Sequence, residues 1–565
     1  MELMTVGGGY CGRILRINLS KQEISCEDID DKTVYNFIGG RGYAAWILYN
    51  ELNPAIDPLS GENEIIFMTG PFTGTDVPGS GRISISSKSP LTGTIFDSSM
   101  GGSFGAYLKA AGYDGLILSG SSEKPVYLVI DENSVDIRDA SALWGKSTRE
   151  TERELREKQP FSSIAEIGPA GENRVFLANI MSDGRAAGRG GLGAVLGSKK
   201  VKAIVVKGRG KVRIAYERPY KQLVKKITYL IRTHPVTGDN GSLALHGTAV
   251  LVHPIAMAGI MPVENFEKRI LAYDEVDGFS GETIKEKYFI RRKGCYRCPT
   301  ACGRIIKVRE QNSKCPEYES IAMIGPNSGF FDFENQIFPL CELCDELGMD
   351  TISVGNSLGF AKKVGVIKNF EDAKNLIFDI AYNRSPFSKG VKYASKMLGR
   401  EEEAMHVKGL EMPAYNPIGV RGTALAYATS NRGACHLRAY TIAPEILHSP
   451  QFVDPNSDEG KAELVVKLQD AFAVYDSLIM CKYYSFALFT TLEYELDDIA
   501  KLLSAITGLS YTNEILHEIG ARIYAIEKIF NVKAGVGPEG DKLPKSLGID
   551  ISGLLQRYYK LRGWI

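Results

Sequence analysis

Three cysteines fall within one short segment, Cys295-Tyr-Arg-Cys298-Pro-Thr-Ala-Cys302, and no other feature restricts the chain so strongly. The backbone there must turn tightly enough for three sulfurs to converge, while the intervening amides point at whatever the sulfurs hold. The order, two intervening residues and then three, is the reverse of that typical of radical S-adenosylmethionine enzymes and disfavours that reading. Ten cysteines in 565 residues are too dilute for a disulfide framework. Clustered thiols in a reducing compartment instead indicate metal or redox chemistry. A cubane needs a fourth ligand, and Cys315, Cys341, Cys344, Cys435 and Cys481 are all candidates; spacing does not choose among them. A zinc knot fits the same triad. The second CxxC, Cys341-Glu-Leu-Cys344, lies in an apolar helical pattern and reads as packing.

Size and texture frame this segment. The length exceeds what one core usually serves, so two or three domains are expected. Up to about residue 212 short apolar runs alternate with glycine-rich turns such as Gly39-Gly-Arg-Gly42, Gly101-Gly102 and Gly188-Arg-Gly-Gly191, a sheet-rich pattern. Beyond it helical periodicity dominates, over 335–347, 371–382, 463–475 and 497–507. The predicted division is a sheet-rich base over 1–212 and two mainly helical domains over 213–419 and 420–565, an α+β architecture.

Lysine plus arginine equal aspartate plus glutamate at 67 each, and no basic stripe interleaved with aromatics argues for nucleic acid. Apolar runs such as Glu64-Ile-Ile-Phe-Met-Thr69 and Ala203-Ile-Val-Val-Lys207 are strand length, far below the ~20 residues that span a bilayer. The first seven residues lack a basic segment leading into an apolar one, so no leader is read and a cytoplasmic location is expected.

Further segments give the triad a context: Gly81-Arg82, Lys88-Ser-Pro-Leu-Thr-Gly93, Ala111-Gly-Tyr-Asp114, Ile167-Gly-Pro-Ala-Gly-Glu172 and Ala186-Ala-Gly-Arg-Gly-Gly-Leu-Gly193. They are followed by Pro316-Glu-Tyr-Glu-Ser320, Asp345-Glu-Leu-Gly-Met-Asp350, Asn431-Arg-Gly-Ala-Cys-His436 and Tyr558-Tyr-Lys-Leu-Arg-Gly-Trp564. In content and order these resemble the aldehyde ferredoxin oxidoreductase family along essentially the whole chain. The resemblance implies a sheet-built base below two helical domains, with a tungsten (or molybdenum) bis-pyranopterin between them held only by dithiolene sulfurs.

It also assigns residues. Arg82 and Arg185 match positions near the pterin phosphates, where a guanidinium gives paired hydrogen bonds to an anion. Gly101 and Gly188 match close backbone approaches. The main-chain carbonyls of Ser99 and Ala186 match a magnesium site between the phosphates, with Ser99 replacing the family's asparagine. Asp345 and Asp350, with Gly348 for the turn, match the first pterin-binding turn. Asp476 matches the second, where Ile479 replaces the family's glycine. Cys481 matches the fourth ligand of a 4Fe-4S cluster with Cys295, Cys298 and Cys302. Lys482 and Arg438 match neighbours of the pterins. Glu319 matches the catalytic glutamate and His436 the histidine that approaches the metal's oxo group. The other six histidines have no metal-ligand spacing and read as ordinary. The Glu-x-x-His of a bridging iron in some relatives is replaced here by Pro339-Leu-Cys-Glu342, so an oligomer of that kind is not expected.

The implied activity is oxidation of an aldehyde to a carboxylic acid, with electrons leaving singly to ferredoxin or a small iron-sulfur subunit. No dinucleotide fingerprint is present; Gly7-Gly-Gly9 lacks the strand-turn-helix context. Two alternatives remain at this level. One is low-potential reduction of acyl or aromatic coenzyme A thioesters on the same fold. The other is a non-catalytic zinc- or iron-sulfur-binding subunit, kept open by the missing turn glycine.

Overall fold

The computed structural model describes residues 6–267 and 270–564. The first five residues, on which the leader reading partly rests, lie outside them. Two six-stranded sheets build the N-terminal part. The first comprises β1 (Arg13–Asn18), β2 (Glu23–Asp28), β3 (Ile65–Met68), β4 (Ile83–Lys88), β5 (Ile95–Met100) and β6 (Gly115–Ser119) in the order β2-β1-β6-β3-β4-β5. The second comprises β7 (Val126–Ile130), β8 (Val135–Asp139), β9 (Ser163–Glu166), β10 (Ile180–Ser182), β11 (Arg185–Ala187) and β12 (Val201–Val206) in the order β11-β10-β9-β12-β7-β8. One pairing in each sheet is parallel, β1 with β6 and β12 with β7; the others are antiparallel.

The two sheets bury a common core in which Ile17, Phe67 and Ile85 meet Leu128, Ile204 and Val206. Strands β3 and β12 are buried on both faces, which is why they read as largely apolar runs instead of alternating ones. At one side edge strand β5 of the first sheet meets edge strand β11 of the second. An edge strand exposes unpaired backbone groups, and this junction places the carbonyls of Ser99 and Ala186 on adjoining edges.

Helices cover the outer face of the first sheet. The expected helices are present as Phe338–Leu347, Phe370–Ala381, Lys461–Leu478 and Asp497–Thr507. The first is preceded by a wider turn, Phe333–Ile337, started by the Asp332 side chain accepting from the Asn335 amide. Two sequence readings need refinement. The region after 212 is not wholly helical: the triad lies between β13 (Phe289–Lys293) and β14 (Gly303–Val308), which with β15 (Gln311–Lys314) form a small antiparallel sheet. And Gly39-Gly-Arg-Gly42 is no surface turn. It opens the buried helix Gly40–Glu51, where a Cβ on Gly40 would lie 2.4 Å from the carbonyl oxygen of Asp476.

Helix Lys461–Leu478 is buried along most of its length and packs against Asn513–Lys533. A Cβ on Gly520 would stand 2.3 Å from the Asp470 carbonyl oxygen, so the two backbones touch there. No helix among the described residues is long and apolar enough to cross a membrane.

Candidate functional site

Three adjoining cavities lie where the β5–β11 junction meets the helices. The largest of the three, of about 330 Å³, is lined by Arg82, Asp97, Ser99, Ala186, Gly188, Glu319, His436, Arg438, Asp476, Cys481 and Lys482, with Tyr415, Tyr440, Phe472 and Phe486 as an aromatic wall. A second, of about 230 Å³, is lined by Arg82, Ser99, Gly101, Arg185, Ala186, Gly188, Asp345 and Asp350. A third, of about 190 Å³, is lined by Cys295, Cys298, Cys302 and Cys481 together with Arg82 and Arg185. Of the residues that the resemblance assigns to the cofactors and to catalysis, Gly348 alone lines none of these. It ends helix Phe338–Leu347 in a left-handed conformation (φ 75°, ψ 51°), the geometry for which glycine carries no Cβ penalty.

Spacing could not choose a fourth thiol, and the fold brings only Cys481 to the triad's cavity. Cys341 and Cys344 are buried in the helical core and Cys435 lines the 330 Å³ cavity instead. A zinc ion sits about 2.3 Å from each thiolate and needs the sulfurs nearly in contact. Among the described residues no three Cys, His, Asp or Glu side chains form such a group. A multi-iron cluster spreads its thiolates around itself, and a roomy four-sulfur cavity suits that donor set. Burial pushes the Cys481 thiol up to about 11, opposed by Arg82, and raises Cys302 further against Arg185. Uncharged thiols are what a dry cavity favours until a metal withdraws the protons.

In the largest of the three cavities Glu319 and His436 face each other, with His436 Nε2 3.2 Å from Glu319 Oε1. Glu319 sits in the first turn of helix Tyr318–Ile324, and the Ala414 amide donates to its Oε2 at 2.8 Å. Burial raises its carboxyl to about 8, with the Ala414 bond and Arg189 pulling the other way. Burial likewise holds His436 well below the ordinary imidazole range, helped by Arg189, Arg432 and Lys482. Both shifts favour the uncharged forms, and Glu319 Oε1 and His436 Nδ1 are buried without a hydrogen-bond partner. The Tyr415 and Tyr440 hydroxyls, 3.1 Å apart, close the wall beside them.

The floor is a buried charge network. Asp476 Oδ2 accepts from Arg438 Nη1 at 2.6 Å and from Lys482 Nζ at 3.0 Å, and Arg41 Nη1 approaches it at 3.5 Å. Arg41 is held by Glu527 through two bonds of 2.7 Å, and Asp97 accepts from Arg438. Burial would raise Asp97, but Arg438, Arg41 and Arg432 together hold it near 2. Burial lowers Lys482 to about 8 against the pull of Asp476. The turn at Asp476 keeps its shape without the family's glycine: Ile479 itself takes the left-handed conformation (φ 65°, ψ 39°) and ends helix Lys461–Leu478.

Asp350 is more committed than the sequence implies. It caps helix Thr351–Lys363, accepting from the amides of Ile352 and Ser353, and also takes bonds from Ser353 Oγ and Arg189. Asp345 pairs with Lys314 at 2.9 Å. Sequence reasoning missed Arg41, Asp97, Arg189, Arg432 and Glu527. No short spacing marks their long-range pairings, Arg41 with Glu527, Asp97 with Arg438 and Arg432, and Arg189 with Asp350, which join segments more than 150 positions apart. The Nε atoms of Arg432 and Arg438 and Nδ1 of His436 are buried without a protein partner. Buried polar groups are almost always paired, so a wall with such orphans fits a polar, hydrogen-bonding occupant.

A sheet-and-helix body with a dry, charged cavity next to a four-thiol cavity is the build of an enzyme that encloses a redox centre. The N-terminal domain model of aldehyde ferredoxin oxidoreductase matches residues 14–208, and the model of its domains 2 and 3 matches 222–565. The chain belongs to the aldehyde ferredoxin oxidoreductase family. It is 41% identical to the tungsten-containing aldehyde ferredoxin oxidoreductases of Pyrococcus furiosus and of Thermococcus kodakarensis, in each case over 98% of this chain and 96% of the relative. It is also 29% identical to the WOR-like subunit of an aliphatic sulfonate oxidoreductase of Pyrococcus furiosus, over 93% of this chain and 86% of the relative. Among solved structures, the active-site complex BamBC of benzoyl coenzyme A reductase bound to 1,5-dienoyl-CoA superposes with a TM-score of 0.85. It covers 99% of this chain and 95% of that one at 24% identity, a likeness of fold.

Proposed function

We propose that this oxidoreductase converts aldehydes to carboxylic acids at a tungsten bis-pyranopterin in the two larger cavities and passes electrons through a 4Fe-4S cluster on Cys295, Cys298, Cys302 and Cys481. The reading is supported by membership of the family and by the names of the full-length relatives. The observation that carries it is the buried Glu319 and His436, 3.2 Å apart, in a cavity that shares Arg82 and Cys481 with the four-cysteine cavity.

The donor set suits the cofactors. Arg82 and Arg185 would hold the phosphates, and the Ser99 and Ala186 carbonyls on adjoining strand edges would hold a magnesium ion between them. Gly101 and Gly188 would admit the backbone approach. Asp345, Asp350 and Asp476 would accept from ring N–H groups, with Gly348 shaping the first turn and Arg438 and Lys482 bordering the second. Asp476 receives its cations on Oδ2 only, which leaves Oδ1 as an acceptor. When bound, the metal centre accepts the two electrons released as an aldehyde plus water becomes a carboxylic acid, two protons and two electrons.

The chain's own residues manage the protons. Glu319 in its ionised form takes a proton from the aldehyde–water pair, as a base with a pKa near the working pH should. His436 donates to the developing acid oxygen and stabilises charge there. The aromatic wall excludes water and favours an apolar substrate side chain. Ferredoxin or a small iron-sulfur protein is the proposed acceptor, and the division 1–212, 213–419 and 420–565 the proposed domain arrangement, with a cytoplasmic location. The thioester-reduction reading rests on fold likeness alone. No observation favours the non-catalytic one, since Ile479 keeps the turn.

Anaerobically purified protein should contain tungsten and about four irons per chain, and should oxidise aldehydes with viologen as acceptor. Glu319→Gln should lose that turnover while keeping both metals. Zinc in place of iron, or undiminished turnover in the variant, would refute the assignment.

A further inference from the structure

Of all the described side chains, two line all three cavities: Arg82 and Glu317. Arg82 stands out from the sequence, and Glu317 does not. Glu317 occupies the N-cap position of helix Tyr318–Ile324, yet its carboxylate makes no capping bond. Thr248 does that work instead, accepting from the Tyr318 amide at 2.9 Å while its hydroxyl donates to Glu317 Oε2 at 2.5 Å. The carboxylate is thereby turned toward Arg185, whose Nη1 donates to Oε1 at 2.6 Å.

Arg185 in turn lies against the cysteine segment. Its Nη2 would be 2.4 Å from a Cβ on Gly303, the residue after Cys302, which places the guanidinium directly over the backbone that follows the triad. Thr248, Glu317 and Arg185 form a short chain of bonds running from the catalytic cavity to the cysteines. The pair is half-buried, with side-chain exposures of 20% for Arg185 and 31% for Glu317, so its charges are less screened than surface charges.

We propose that Glu317 is a positioning residue that orients Arg185 and, through its own negative charge, sets the reduction potential of the cluster held by the four cysteines. The potential of such a cluster follows local charge and hydrogen bonding. Adding an electron beside a carboxylate is unfavourable, and Arg185 offsets that cost on the same spot. Removing either charge therefore moves the potential in opposite directions.

The proposal rests on the reading of the four cysteines as a cluster site, which iron and sulfide analysis of the wild-type chain tests separately, because a chain without a cluster has no potential to titrate. The experiment is an EPR-monitored redox titration of the cluster in the full-length, anaerobically purified chain. Glu317→Gln should raise the reduced-to-oxidised ratio at the wild-type midpoint about tenfold, equivalent to about 59 mV for a one-electron couple. Arg185→Gln should lower the ratio, the double variant should return toward wild type, and Glu317→Asp should leave it unchanged. Unchanged midpoints in both single variants, or shifts in the same direction, would overturn the proposal. Should Glu317→Gln lose the cluster, Glu317→Asp decides: a retained cluster at the wild-type potential supports the electrostatic role, and a lost one overturns it.

Discussion

At the scale of single residues, burial changes what an ordinary glutamate can do. Glu319 has an unremarkable sequence setting, and its proton affinity follows from an apolar enclosure that penalises the charged form. The sign of the pH effect follows: the ionised base increases as pH rises through about 8. Turnover of the wild-type chain at saturating aldehyde should therefore climb through that region on the acid side of the profile, and Glu319→Asp should show the same limb displaced. A flat profile from pH 6 to 9 would contradict the assignment of Glu319 as base. Ile479 carries a different balance. A β-branched residue in the left-handed region costs about 1–3 kcal/mol, but its side chain is buried at the contact with Gly40. Emptying such a site costs about 2–5 kcal/mol. Ile479→Gly should thus relieve strain yet lose more packing, for a net loss of about 1–3 kcal/mol in denaturant unfolding; a gain in stability would mean that strain dominates.

At the scale of elements, helix Lys461–Leu478 joins the core to the site. Its last turn supplies Asp476, its left-handed end is Ile479, and Cys481 follows two residues later. Its position is fixed by contact with Asn513–Lys533 at Gly520, where backbone meets backbone. Gly520→Ala forces the helices apart; overpacking of this kind costs about 1–3 kcal/mol. Because the shift is transmitted along a rigid helix to Asp476 and Cys481, tungsten and iron content should both fall along with the midpoint of thermal unfolding. Loss of stability with full metal content would show that the helix end moves independently of its middle. Edge strands β5 and β11 carry the opposite side of the site, Ser99 on the one and Ala186 on the other lining the same two cavities.

At the scale of the whole molecule, the site lies between parts of the chain far apart in sequence, and it contains unpaired buried polar atoms. Ligand that binds only the folded state stabilises it, by about 4 kcal/mol at a thousandfold excess over Kd. Protein produced with tungsten withheld should therefore unfold at a lower temperature than the loaded protein. The difference should narrow in Asp476→Asn, which removes one acceptor charge from the floor, and calorimetry on the four samples would measure it. Equal midpoints with and without tungsten would show that the cavities contribute nothing to cohesion.

Much of this was legible in the sequence. The apolar strands, the change of texture near residue 212, the helical periods and the triad are local patterns, because strands, helices and tight ligand loops are specified by residues near one another. Local reading took Gly39-Gly-Arg-Gly42 for a turn, although its glycines pack against Asp476, Ser477 and Ile479, and it passed over the small sheet that frames the cysteines. Other features depended on distance in space. Cys481, which spacing could not single out and the family resemblance named, stands apart from the other spare thiols in space because the fold carries it to the triad's cavity. Arg41, Asp97 and Glu527 form one network across the length of the chain, and Glu317 differs from any surface glutamate only through Thr248 and Arg185. The sequence by itself determined the elements and the kinds of donor available; the tertiary structure decided which donors share a cavity and which carboxyls are dry. Charge and burial are properties of surroundings, and for this protein those surroundings are assembled from segments that no local pattern connects.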